Sequence, residues 1–146
     1  MLGVNRYKLY HIITQFNRMP LTMKTIHFLV EKTGTGFSAY SEAVGIVATG
    51  KTLQALERDA QDGLEGQCEV TGENPHAFTL EYTCDFSTLF EVFRLNVDSV
   101  ADYVGINATL MSQYIHQKKT PSKKQKDRIE AGIHSYAKAL SSFRFA

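Results

Sequence analysis

"GIVATGKTLQALERDAQDGLEG", residues 45–66, admits two folds. Its opening letters, Gly45, four residues, then Gly50-Lys51-Thr52, spell a phosphate-binding loop, in which backbone N–H groups, a lysine and a hydroxyl cradle phosphate and Mg²⁺. Read for chemical character, "IVAT" (46–49) is apolar and β-branched, which suits a strand better than a loop wrapped around phosphates. A phosphate-loop core also needs a parallel sheet, crossover helices and a second strand carrying an acidic metal ligand. Only about 60 residues are available before the helical remainder of the chain, too few for such a core. From Thr52 onward the apolar side chains recur at Leu53, Leu56, Ala60 and Leu64, one face of a helix, with Thr52 placed to cap it. The stretch reads as strand, turn and helix, with Lys51 a solvated turn lysine.

Its neighbours agree. From Thr25 the alternation is strict, with Ile26, Phe28 and Val30 on one side and Thr25, His27 and Glu31 on the other. "KTGTG" (32–36) has hairpin glycines, "FSAYS" (37–41) forms a second strand, and residues 45–49 a third. After "GENP", "AFTLEYTC" alternates again through Phe78, Leu80, Tyr82 and Cys84. The order βββαβ makes a small α+β unit over residues 23–84. Residues 1–22, ending near Pro20, show no clear period and no signal-peptide h-region. We take them as an N-terminal extension, poorly ordered or arising from a start codon assigned too early, rather than a docking arm.

From Asp85 the strand signals cease, and residues 85–146 read as four helices. "TLFE" (88–91) and "SKKQ" (122–125) are capping-box patterns, while Asp98 and Asn107 stand where caps are needed between them. The final helix carries Ile129, Ile133, Tyr136, Leu140 and Phe143 at helical spacing, a stripe that serves either core packing or a dimer seam.

Charge divides the same way. Residues 1–22 hold three cations, 23–95 hold five basic against eleven acidic side chains, and 96–146 hold eight basic against four acidic, within a net +1. No run reaches the 18 or so apolar residues a membrane span requires, so no membrane partner is expected. Cys68 and Cys84, without a paired-cysteine motif, fit free thiols in a reducing cytoplasm. No metal ligands, cofactor site or catalytic cluster are expected: His27, His76, His116 and His134 lack convergent partners, and Asp59, Asp62 and Glu65 need only form a wet helix face. The chain is therefore read as a non-enzyme.

"VADYVGINATLMSQYIHQKKTPS" (100–122) is the most specific signal. A helix-turn-helix needs a small residue where its helices cross, here Ala101, and glycine at the turn four residues later, here Gly105. Val100, Val104, Ile106, Met111 and Tyr114 take the core positions. The stretch resembles the Cro/repressor-type helix-turn-helix, including its exit, Lys118-Lys119-Thr120-Pro121-Ser122. By that resemblance the second helix enters the major groove with Ala108, Thr109, Ser112 and Gln113 toward base edges. Gln113 would pair with adenine, and Thr109 would hydrogen-bond or touch a thymine methyl. Asn107, Lys118, Lys119, Lys123 and Lys124 would meet phosphate, with Lys126 and Arg128 in the same basic cluster.

Residues 23–67 resemble the HicB antitoxin family through Gly36, Phe37, Ala39, Gly45, Ala48, Gly50, Thr52 and Leu53. They depart from it at Gln54-Ala55-Leu56, where acidic and alanine residues are usual, and at Ala43-Val44-Gly45-Ile46, where Pro-Gly-Cys is usual. The resemblance implies a partial RNase H-like unit that neutralises a small, basic, mRNA-cleaving toxin of the HicA kind. Joined to a helix-turn-helix, it implies a type II antitoxin that represses its own operon at operator DNA as a homodimer or higher homo-oligomer. The alternative is a solitary DNA-binding regulator whose N-terminal unit senses a ligand or dimerises.

Overall fold

A computed structural model describes residues 23–146; the N-terminal extension, 1–22, lies outside the described residues. β1 (Lys24–Lys32), β2 (Phe37–Ser41), β3 (Ile46–Gly50) and β4 (Phe78–Thr83) form one mixed sheet in the order β3-β2-β1-β4. β1 pairs antiparallel with β2, and β2 with β3. The chain then crosses through helix α1 (Leu53–Thr71), so β4 returns parallel to β1, pairing Lys24 with Phe78 through Leu29 with Thr83. The fold is α+β, as the sequence leads one to expect.

The period-two pattern decides which face of the sheet is covered. Ile26, Phe28, Val30, Ala39, Ile46 and Ala48 point to one side and are buried there by Leu56, Ala60, Leu64 and Cys68 of α1. The residues between them, His27, Leu29, Tyr40, Val47 and Thr49, stay exposed on the other face. The sheet edge at β3 is partly closed: Asp59 of α1 accepts the Thr49 backbone N–H at 2.7 Å. That carboxylate thus has a structural partner that a wet helix face alone would not give it.

The suspect octapeptide is strand and cap. Residues 46–50 pair along β2, and the Thr52 hydroxyl accepts the Ala55 N–H at 3.2 Å as the N-cap of α1. Gly50 is required by packing. A Cβ there would stand 2.8 Å from the Ala55 carbonyl carbon and 2.9 Å from Leu56 Cα, so only glycine lets the first turn of α1 lie on the end of β3.

Four further helices follow: α2 (Phe86–Val92), α3 (Val97–Val104), α4 (Ala108–Ile115) and α5 (Lys123–Ser141). They close a second core of Phe90, Val100, Ala101, Val104, Met111, Tyr114, Ile115 and Ile129. Two of the expected caps are corrected. α2 is capped by Asp85, whose carboxylate accepts the Thr88 N–H at 2.7 Å, so "TLFE" lies inside the helix and Thr88 is buried. α3 is capped by Asn96, which accepts the Ser99 N–H at 2.8 Å, leaving Asp98 in the first turn, where its charge suits the helix dipole. The caps at Asn107 and Ser122 stand as expected.

The two cores meet at a small polar seam. Lys32 at the end of β1 pairs with Glu91 of α2, and the Gln117 side-chain amide donates to Asp85 at 3.3 Å.

Candidate nucleic-acid interface

The turn between α3 and α4 is built from few atoms. Ala101 is fully buried, and its carbonyl accepts both the Gly105 N–H at 2.9 Å and the Ile106 N–H at 3.0 Å. Closing the helix end this way needs a left-handed residue, which Gly105 supplies at φ +74°. The Arg128 guanidinium of α5 then donates to the Gly105 carbonyl at 2.7 Å. One member of the basic cluster is therefore occupied in bracing the turn. α5 can approach because Gly132 faces Val104, where a Cβ would meet the valine methyl at 2.6 Å.

Asn107 caps α4 twice, its side-chain oxygen accepting the Thr109 N–H at 2.8 Å and the Leu110 N–H at 3.2 Å. That oxygen is spent on the helix, and only the amide NH₂ of Asn107 remains to donate outward. Met111, Tyr114 and Ile115 bury the inner face of α4, and Ala108 packs half-buried against the same core. Ala108 thus serves packing at least as much as the outer surface. Thr109 is exposed and Ser112 and Gln113 are half-exposed on the outer side.

The exit from α4 is equally specific. The Lys118 N–H donates to the Gln113 carbonyl at 2.8 Å and the Gln117 N–H to Tyr114 at 3.1 Å, a Schellman closure. It places Gln117 at φ +57°, a left-handed conformation where glycine is usual. Lys118 and Lys119 follow directly, exposed beside the outer face of α4. His116, exposed at the end of α4, stands three residues after Gln113 and four after Ser112, and so extends that face. Sequence reasoning dismissed it because it sought metal or catalytic partners rather than helix geometry.

The lysines differ in readiness. Lys123 is bound to Asp127 at 2.8 Å, and that hydrogen bond, with the charge behind it, pushes its ammonium above the usual lysine value. Lys118, Lys119, Lys124 and Lys126 have no ion-pair partner among the described residues. Chemically, the outer face of α4 offers hydroxyls and an amide that both donate and accept, framed by ammonium groups. Among the described residues no three His, Cys, Asp or Glu side chains gather as a metal site. No described helix is long and apolar enough to cross a membrane.

Comparison with protein-family models, with curated proteins and with solved structures finds no match to this chain.

Proposed function

We propose that this chain is an antitoxin and autorepressor of the HicB type: residues 85–146 read operator DNA, and the acidic unit before them holds a basic, RNA-cleaving toxin. The observation that carries the reading is the outer face of α4. Thr109, Ser112 and Gln113 stand on a helix braced behind the Gly105 turn, beside Lys118 and Lys119. Polar side chains that donate and accept on a short helix suit base edges in the major groove, and flanking ammonium groups suit phosphate. A single helix of eight residues reads only a short half-site, so the DNA-binding form is a homodimer on a palindrome.

The toxin half rests on two supports, the residues shared with the HicB pattern around Gly36 and Gly50 and the charge of −6 over residues 23–95. An acidic surface complements an RNA-binding protein, which must itself be basic. The test is genetic and structural together. Expression of the small reading frame adjacent to this gene should arrest growth, and co-expression of this chain should restore it. A footprint on the gene's own upstream DNA should show two protected half-sites about one helical turn apart. Specific DNA protection without any growth effect would favour the solitary regulator; no protection would sink the repressor half.

A further inference from the structure

The apolar stripe of α5 outlasts the core on which it packs. Ile129 is fully buried, Ile133 and Tyr136 are half-buried, Leu140 is 56% exposed and Phe143 77% exposed, with Phe145 beyond them wholly exposed. These positions share one helical face, so a single apolar stripe begins inside the core and ends with nothing over it among the described residues. Tyr103 of α3, 47% exposed, stacks on Tyr136 with ring centroids 5.1 Å apart and widens the patch.

Charge falls away over the same stretch. Residues 118–130 hold eight charged side chains, whereas residues 131–146 hold Lys138 and Arg144 alone. Aromatic enrichment with charge depletion is the composition of an interface centre. With about 200 Å² per ring, Tyr103, Phe143 and Phe145 together present about 450 Å² of mostly apolar surface. That approaches the largest patch a soluble monomer usually shows, and it supplies the apolar core of an interface that takes about 800 Å² from each partner.

The geometry points to a second copy of this chain as the occupant: we propose that the C-terminal half of α5, through Tyr136, Leu140 and Phe143, docks on the same face of its twin. The two-fold symmetry expected of an operator-binding dimer rests on the DNA-reading proposal, whereas the burial gradient and charge gap do not. The helix is about 28 Å long, so its basic start and its apolar end are separate surfaces, and one can meet phosphate while the other pairs.

The test is the mass of the full chain in solution without DNA, by sedimentation velocity across about 5–200 µM, concentrations chosen to bracket micromolar association. Three proteins are compared: wild type, Leu140→Lys/Phe143→Lys, and Tyr40→Lys/Val47→Lys on the open sheet face. All four positions are substantially exposed, so circular dichroism should stay unchanged. The expected result is a dimer for the wild type and the sheet variant, and a monomer for the α5 variant. A Leu140→Cys protein should also form an intermolecular disulfide on mild oxidation, its native Cys68 being buried and Cys84 half-buried. A monomeric wild type throughout, a dimer that survives the α5 changes, or one lost only in the sheet variant would each overturn the proposal. Because no DNA is present, failure of operator binding would leave this result standing, and the reverse holds equally.

Discussion

Replacing Gly50 by alanine tests whether that glycine serves packing. The new Cβ would lie 2.8 Å from the Ala55 carbonyl carbon, 2.9 Å from Leu56 Cα and closer still to the Leu56 nitrogen. All three are backbone atoms of the first turn of α1, so no side chain can swing away. Relief requires lifting that turn off β3, which drags the fully buried Leu56 with it. Overpacking costs about 1–3 kcal/mol, and a partly emptied site beneath Leu56 adds to it, so we expect a loss of about 3 kcal/mol. In urea, with a slope of about 2 kcal/mol/M, the midpoint should fall by about 1.5 M. Gly66→Ala supplies the control, since Gly66 lies within the same helix and a Cβ there meets nothing within 4 Å. That change should raise stability by about 1 kcal/mol through helix propensity alone. Lys51→Ala, at an exposed turn position, should leave the midpoint within ~0.5 kcal/mol of wild type. If Gly50→Ala stayed within about 0.5 kcal/mol of wild type, the close-packing account of this motif would be refuted.

Further outcomes follow from single sites. Gly105→Ala forces a side chain into φ +74° beside Arg128 and should destabilise the helical unit by about 1–2 kcal/mol, read by urea unfolding. Burial first, and then the Glu73 and Glu65 carboxylates, push the Cys68 thiol up; burial and Asp85 do the same for Cys84. Both should therefore alkylate slowly at pH 8 in the folded protein and rapidly in urea, and fast native labelling of Cys68 would contradict its placement. The hydrogen bond from Lys24, then its charge, holds the Glu73 carboxyl below the usual glutamate value. Its stabilising contribution is present above the ordinary carboxylate range and is lost as pH falls through the lowered folded-state value. Glu73→Gln should remove that part of the acid sensitivity, seen as a shallower fall in thermal midpoint between pH 5 and 3.

Much of this architecture is legible from local chemistry. The alternation around Ile26, Phe28 and Val30, the spacing of Leu56, Ala60 and Leu64, and the caps at Thr52, Asn107 and Ser122 each depend on a few adjacent residues. The two misplaced caps fail for the same reason: alternatives stand two or three residues apart. Asp85 and Asn96 precede Thr88 and Asp98, and only tertiary packing of Phe86, Phe90 and Val97 decides which begins the helix. Strand order was not readable, because pairing β4 beside β1 depends on where α1 crosses. The candidate interface was half visible. The turn and outer face follow from Gly105 and helical spacing, but the diversion of Arg128 to the Gly105 carbonyl and of Lys123 to Asp127 needs coordinates. A charge run says how many cations there are, not which are already engaged.

The most direct test of the central claim is a mobility shift on the gene's own upstream DNA at 50 and 200 mM salt. Wild type is run beside Thr109→Ala/Gln113→Ala and Lys118→Ala/Lys119→Ala. The account predicts specific binding by wild type and loss of sequence discrimination in the first variant, about 1–3 kcal/mol for a bidentate contact. It predicts a salt slope reduced by about 0.9 for each phosphate contact removed in the second. No specific shift by wild type at either salt, or binding that the Thr109/Gln113 change leaves untouched, would contradict it.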